Sequence, residues 1–199
     1  MSKILNIISS PRGEASNSIK LANAIIDRLK EKDPAAAVQV RDLAHGPFPH
    51  LEEAHLNAFF TPAENHTDEN KEAIRHSNEA IREIMDADVI VIGAPMYNFG
   101  VSSVLKSWFD HIARAGITFK YTAEGPKGLV TGKKVYVAVS TGGIYSSGEA
   151  MAYDFVVPYI KTMLGFIGIT EVTIIRAEGF AMAEYQETAL DKAIDSIVL

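Results

Sequence analysis

The 199 residues include no cysteine, which removes disulfide frameworks, thiol catalysis and cysteine-ligated clusters together. Basic runs are also missing, and the formal charge is −6. That balance argues against a nucleic-acid surface, because counterion release needs clustered Lys and Arg. No apolar stretch approaches the ~20 residues of a membrane-spanning helix. Met1-Ser2-Lys3 leads directly into a strand-like segment rather than a signal peptide. Two phosphate-loop signatures are absent as well. No Gly-x-Gly-x-x-Gly follows the first apolar run and no Walker-type Lys-Ser/Thr occurs, which argues against a Rossmann dinucleotide site or an NTPase P-loop. With 47% hydrophobic and 22% charged residues and no repeat or linker, the chain is expected to form one globular domain over residues 1–199, in the cytoplasm.

The most informative stretch that is present runs from Val89 to Trp108. Val89-Ile90-Val91-Ile92 is the unbroken apolar run of a strand buried on both faces. Gly93-Ala94-Pro95 ends it, since proline has no donor for the ladder. Met96-Tyr97-Asn98-Phe99 then set two aromatics and an amide on a turn that Gly100 helps to close. Ser102 and Ser103 are candidate N-caps for a helix carrying Val104, Leu105, Trp108, Phe109 and Ile112. An apolar surface with polar anchors, at the carboxyl end of a parallel strand, points to a flat aromatic ligand; simple packing of the aromatics is the plainer reading.

Earlier in the chain, the run Lys3–Ile8 reads as a first strand. It is followed by Ser9-Ser10-Pro11-Arg12-Gly13-Glu14-Ala15-Ser16-Asn17-Ser18 and a helix with Ile19, Ala22, Ile26 and Leu29 at helical spacing. A hydroxyl-rich loop at a helix N-terminus offers free N–H groups and the positive end of the dipole to an anion. The alternative is that Ser16 only caps the helix. A phosphate held by hydroxyls rather than lysine suits a monoester such as flavin mononucleotide. A second strand is expected over Ala37–Asp42, then an irregular segment Leu43–Thr67, then one helix from Asp68 to Met85. His45, His50 and His55 are five apart, which does not align imidazoles on one helix face, so no metal site is expected there.

The helix after Phe99 carries two adjoining apolar stripes, Val104/Trp108/Ile112 and Leu105/Phe109/Ala113. One stripe covers a sheet; the second needs another helix of the same chain or a second subunit. Gly116–Gly132 reads as a hairpin-like excursion around Thr118–Tyr121. A fourth strand, Val135–Val139, ends at Ser140-Thr141-Gly142-Gly143, where adjacent glycines let two N–H groups approach a ligand or simply turn the chain. A helix over Tyr153–Phe166 ending at Gly165 or Gly168, a fifth strand over Val172–Arg176 and a last helix with Leu190, Ile194, Ile197 and Val198 complete the pattern. Strand–helix alternation of this kind predicts an α/β fold, a flavodoxin-like doubly wound parallel five-stranded sheet in the order 2-1-3-4-5. In that order the loops after strands one, three and four share one rim, so three separate ligand signals converge.

With these motifs assembled, the chain resembles the FMN-dependent NADH:quinone oxidoreductase and azoreductase family of bacterial type. The resemblance rests on Ser9-Ser10 with Ser16-Asn17-Ser18, Ala94–Phe99, Ala113–Phe119, Gly125-Pro126 with Gly128–Lys133, Ser140-x-Gly142-Gly143 and Leu164–Ile169. It implies a flavodoxin-like homodimer with one FMN per subunit and active sites built from both chains. It also implies reduction of quinones, azo compounds and some nitroaromatics with NADH or NADPH, in ping-pong fashion. Carried to matching positions, Ser10, Ser16, Asn17 and Ser18 would hold the phosphate. Met96, Tyr97, Asn98 and Phe99 would flank the isoalloxazine, and Ser140, Thr141, Gly142 and Gly143 would meet its pyrimidine edge. Phe119, Tyr121 and Phe60 are expected to line the acceptor space. At position 141 this chain has Thr where some relatives carry a long basic side chain, and Leu43–Thr67 is the least matched part. No side chain is expected to act as a catalytic acid or base, because the hydride chemistry belongs to the cofactor. The competing class is a flavodoxin-type electron carrier, which lacks the Gly116–Gly132 excursion and has an acidic docking face.

Overall fold

The computed structural model describes all of residues 1–199. Seven strands and seven α-helices alternate along it: β1 (Lys3–Ile8), α1 (Asn17–Lys32), β2 (Ala37–Asp42), α2 (Glu53–Phe60), α3 (Asp68–Ala73), α4 (Arg75–Asp86), β3 (Val89–Pro95), α5 (Ser103–Ile112), β4 (Phe119–Thr122), β5 (Gly125–Gly128), β6 (Lys134–Ser140), α6 (Val157–Ile167), β7 (Glu171–Ala177) and α7 (Ala189–Asp195). Five strands form one parallel sheet in the order β2-β1-β3-β6-β7, while β4 and β5 pair separately as an antiparallel hairpin. In chain numbering the order is therefore 2-1-3-6-7, not 2-1-3-4-5. The glycine-punctuated excursion contributes two strands of its own, so the strands expected fourth and fifth are the sixth and seventh.

Side chains alternate across the central strands, as the period of two requires. Leu5, Ile7, Ile90, Ile92, Val135 and Val137 face a core closed by residues of α4, α5 and α6. Ile4, Val91, Tyr136 and Ala138 face the opposite core with Leu21, Ala22, Ile25 and Ile26 of α1 and Ala193 of α7. The register aligns the carboxyl ends: Ile8 lies opposite Gly93, and Pro95 opposite Ser140. Three loops are thereby delivered to one edge of the sheet.

Several local expectations change. The helix expected from Asp68 to Met85 is divided at Ile74, whose side chain turns into the core at 3% exposure. Within the irregular Leu43–Thr67 segment lies α2, started by a capping box in which His55 accepts the Glu52 N–H at 3.0 Å. The helix expected from Tyr153 begins only at Val157; Asp154 receives the Val156 and Val157 N–H groups there, and Gly168 ends the helix with left-handed backbone.

The larger side chains of both α5 stripes are buried within this one chain, while Val104 and Ala113 are half-buried. Leu105, Trp108, Phe109 and Ile112 are at most 1% exposed, and Phe109 meets the Tyr159 ring of α6 edge-on at 5.6 Å. The covering element is thus another helix of the same chain. Trp108 does not point outward, so its side chain gives no evidence of a subunit interface.

Candidate functional site

The rim holds two neighbouring clefts that share Tyr97. The more polar one, about 260 Å³, is bordered by Ser10, Arg12, Ser16, Asn17, Pro95, Met96, Tyr97, Ser140, Thr141, Gly142, Phe180 and Ala181. The larger, about 890 Å³, is mainly apolar and includes Asn98, Val101, Val104, Phe155, Pro158 and Tyr159. The structure thus gathers most of the residues expected at a cofactor site into one concavity, from three separate loops.

At the first loop, Ser9 is structural: its hydroxyl donates to the Gly93 carbonyl at 2.7 Å and ties the end of β1 to β3. Ser10 accepts the Arg12 N–H at 3.4 Å. A tight helical turn over Gly13–Ala15 then leads to Ser16, the N-cap of α1, whose hydroxyl accepts from the Ile19 N–H. Ser18 is fully buried behind the cleft, its hydroxyl 3.0 Å from that of Ser16. The N–H groups of Asn17 and Ser18 have no acceptor within the chain. Free donors and hydroxyls at the head of a helix suit a phosphate.

The second loop is strained. Asn98 and Phe99 both take left-handed backbone, with φ of 48° and 70°. Tyr97 and Gly100 bracket them through two mutual N–H···O bonds of 3.0 Å, a two-residue turn that ordinarily takes Asn-Gly. Left-handed backbone at a bulky residue costs about 1–2 kcal/mol. The site retains it because Phe99 is held independently: its carbonyl accepts the Phe155 N–H at 3.1 Å, and its ring meets Tyr153 at 5.7 Å and Tyr145 at 6.3 Å. The result projects Tyr97 between the two clefts and sets Asn98 on the apolar side.

At the third loop the Ser140 carbonyl accepts the Met96 N–H at 2.9 Å, joining it to the second. The Thr141 hydroxyl donates to the Gly143 carbonyl at 2.7 Å. Gly142 and Gly143 avoid left-handed backbone, and their N–H groups find no acceptor in the chain. A Cβ at Gly142 would stand 3.3 Å from that of Ala181, so these glycines serve space and free donors rather than turn geometry. The segment after β7 supports them, with Gly179 and Phe180 N–H groups donating to Thr141 and Ala181 to Gly142.

Sequence reasoning passed over Arg12, Phe180 and Ala181, which all border the polar cleft. Arg12 carried a signal, a cation inside the hydroxyl-rich loop; the other two are placed only by the loop after β7. Gly143 and Phe99 adjoin the cleft without bordering it, and Ser18 lies behind it. Phe119 is 7% exposed and packs on Phe166 at 4.3 Å, while Tyr121 and Phe60 are 74% and 78% exposed. None of the three borders either cleft of its own chain. Tyr159 does border the apolar cleft; burial pushes its phenol up, aided by Asp110, and its hydroxyl has no partner. No group of three His, Asp or Glu side chains is arranged to hold a metal ion.

Comparison with known proteins agrees with the fold. Residues 2–198 match the model of a family described as having a flavodoxin-like fold. An FMN-dependent NADH:quinone oxidoreductase of Herminiimonas arsenicoxydans is 54% identical over 99% of this chain and 97% of its own. The chain belongs to this family. Among solved structures, an azoreductase from Bacillus anthracis superposes with a TM-score of 0.88 at 31% identity, covering 98% of each chain. An FMN-dependent NADH-azoreductase of the same species, solved in complex with FMN, gives 0.86 at 28% identity over 98% of this chain and 97% of its own. Membership in this enzyme family disfavours the electron-carrier alternative. No helix is long and apolar enough to cross a membrane.

Proposed function

We propose that residues 1–199 form one FMN-binding domain of a cytoplasmic oxidoreductase that passes two electrons from NADH or NADPH to quinones, azo compounds and nitroaromatics. The observation carrying this reading is the convergence of polar groups from two loops on one cleft: the Asn17 N–H with the Ser10 and Ser16 hydroxyls from the first, and the Gly142 N–H from the third, the Asn17 and Gly142 N–H groups having no acceptor in the chain. They fit a ligand with an anion at one end and a polar heterocyclic edge at the other. The relatives' names favour NADH as donor.

FMN, when bound, would supply the two-electron redox chemistry that links the nicotinamide donor to the acceptor. The protein positions and tunes. Ser10, Ser16, Asn17 and Ser18 hold the phosphate, Ser18 by its N–H and by fixing the Ser16 hydroxyl. Met96 to Phe99 flank the ring system, with the strained turn fixing Tyr97 and Asn98. Ser140 to Gly143 would face the pyrimidine edge, where the Gly142 and Gly143 N–H groups, free of any acceptor in the chain, could stabilise negative charge as an oxyanion hole does. The exposed Tyr121 and Phe60, with Phe119 behind Tyr121, are assigned to the acceptor space of a partner subunit across a two-fold axis. This explains why they border no cleft of their own chain.

Two measurements test the reading. Purified protein incubated with FMN should retain a flavin absorption spectrum and turn over a quinone with NADH; protein that ignores FMN would overturn the assignment. Activity per subunit should also fall on dilution in step with the dimer fraction seen by sedimentation. A folded, FMN-loaded monomer with full turnover would remove the shared-site proposal.

A further inference from the structure

We propose that Arg12 is a phosphate ligand of the cofactor site and supplies the one full positive charge on the polar cleft. The proposal rests on the FMN reading above and adds to it the residue that compensates the cofactor's charge. A phosphate monoester carries about −1.5 to −2 at pH 7, whereas the hydroxyls and backbone N–H groups facing it are neutral. The N-terminus of α1 contributes only about +0.5. In a chain of net charge −6, a local cation would add to what these neutral donors and the helix supply.

Arg12 is the only charged side chain bordering that cleft, where it stands with Ser10, Ser16 and Asn17. It forms no ion pair with any carboxylate of the chain. Its backbone is nevertheless fixed. The N–H donates to the Ser10 hydroxyl at 3.4 Å and the carbonyl accepts the Ala15 N–H at 3.2 Å. The loop thus anchors the main chain of Arg12 and leaves its guanidinium without an internal partner. A planar fork presents two phosphate oxygens with a rigid pair of donors, which a lysine's flexible point charge does not. Glu14, two residues on in the same turn, is exposed and makes no bond to Arg12.

The test is direct titration of wild type, Arg12→Gln and Arg12→Lys with FMN and with riboflavin, followed by flavin fluorescence at low and high salt. Arg12→Gln should weaken FMN up to about tenfold, since Arg12 is exposed and solvent reduces the worth of a charge-assisted hydrogen bond there. Riboflavin affinity should be unchanged, Arg12→Lys should recover part of the loss, and the wild type should lose FMN affinity with salt more steeply than Arg12→Gln. Equal FMN affinity in wild type and Arg12→Gln overturns the proposal and leaves the cofactor reading standing. Equal weakening of FMN and riboflavin also overturns it, since the residue would then act on the loop's fold. A wild-type protein that binds neither flavin overturns both.

Discussion

At Tyr97–Gly100 two residues with side chains, Asn98 and Phe99, take left-handed backbone, whereas at Gly142–Gly143 two glycines do not. The usual inference from glycine to positive φ would have reversed these assignments. The difference lies in what each turn must present. The second loop has to display an aromatic and an amide, so its strain is held by the paired Tyr97–Gly100 bonds, the Phe155 N–H and two neighbouring rings. The third leaves bare N–H groups beside the cleft, and a Cβ there would press on Ala181 or Tyr145 at 3.3 Å.

The comparison is sharpened most by a glycine outside the site. A Cβ on Gly128 of the hairpin would land on the backbone of Gly168 and Ile167 at the end of α6. All the atoms it would meet belong to the backbone, which cannot move aside as the end of a side chain can. Gly128→Ala should therefore destabilise by about 3 kcal/mol, the upper range for overpacking, as measured by denaturant unfolding. If it costs no more than Gly143→Ala, space is not what selects glycine in this fold.

A second test asks whether the free donors matter more than the loop's shape. Replacing Ser16 and Ser18 together with Ala should weaken FMN binding by about 1–3 kcal/mol, at about 1 kcal/mol for each neutral hydrogen bond. Riboflavin affinity should hold. Equal weakening of both flavins would mean that the serines shape the turn instead of meeting the phosphate.

Much of this architecture is legible in the residues. The apolar runs of β1, β3 and β6 mark buried parallel strands, and the hydroxyl cluster before α1 marks the start of a helix that Ser16 caps. Other features are not, for physical reasons. The backbone at Asn98-Phe99 is decided by long-range contacts with Tyr145, Tyr153 and Phe155, which no local propensity encodes. Burial of α5 involves Tyr159 of α6, which meets Phe109, and Phe48 and Phe59, which meet His111, and a double stripe reads the same whether a helix or a second subunit covers it. His55 looked unaligned with its neighbours in sequence, yet it stands edge-on to His111 at 5.0 Å.

Acid probes the support of the strained turn from the far end of α5. His111 is fully buried there; its Nε2 donates to the Pro49 carbonyl at 2.9 Å and its Nδ1 has no partner. Burial holds its pKa below the usual imidazole value, reinforced by His55 and His76 and opposed by the Pro49 carbonyl and Asp110. The folded chain thus keeps the ring neutral while the unfolded chain takes a proton near pH ~6.5. Stability contributed by the neutral ring is complete above that pH. It is lost as pH falls from there towards the folded pKa, at no more than about 1.4 kcal/mol per pH unit for this one group. His111→Phe should flatten that dependence, at a constant cost from losing the Pro49 bond. An unchanged slope in the variant would assign acid sensitivity to other groups.

The smallest effect goes to the centre of the comparison. Elsewhere glycine is less stable than alanine by about 0.5–1 kcal/mol, because it leaves more freedom in the unfolded chain. At position 99 the order should invert. Phe99→Gly and Phe99→Ala both lose the ring contacts with Tyr145 and Tyr153, but only alanine keeps the left-handed penalty of a Cβ at φ 70°. The glycine variant should be the more stable of the two by about 1 kcal/mol. At position 143 the ordinary order is expected to survive almost intact. Backbone there is not left-handed, and the nearest atom to an added Cβ is Cε2 of Tyr145 at 3.3 Å, a side chain that can give slightly. Gly143→Ala should then change stability by less than about 1 kcal/mol while weakening FMN, since the methyl crowds the approach to a free N–H. Chemical unfolding of the apo-proteins separates the two positions. Alanine outlasting glycine at 99 would mean the turn relaxes once the ring is gone, and that Phe99 itself, not the bonds around it, imposes the strained backbone.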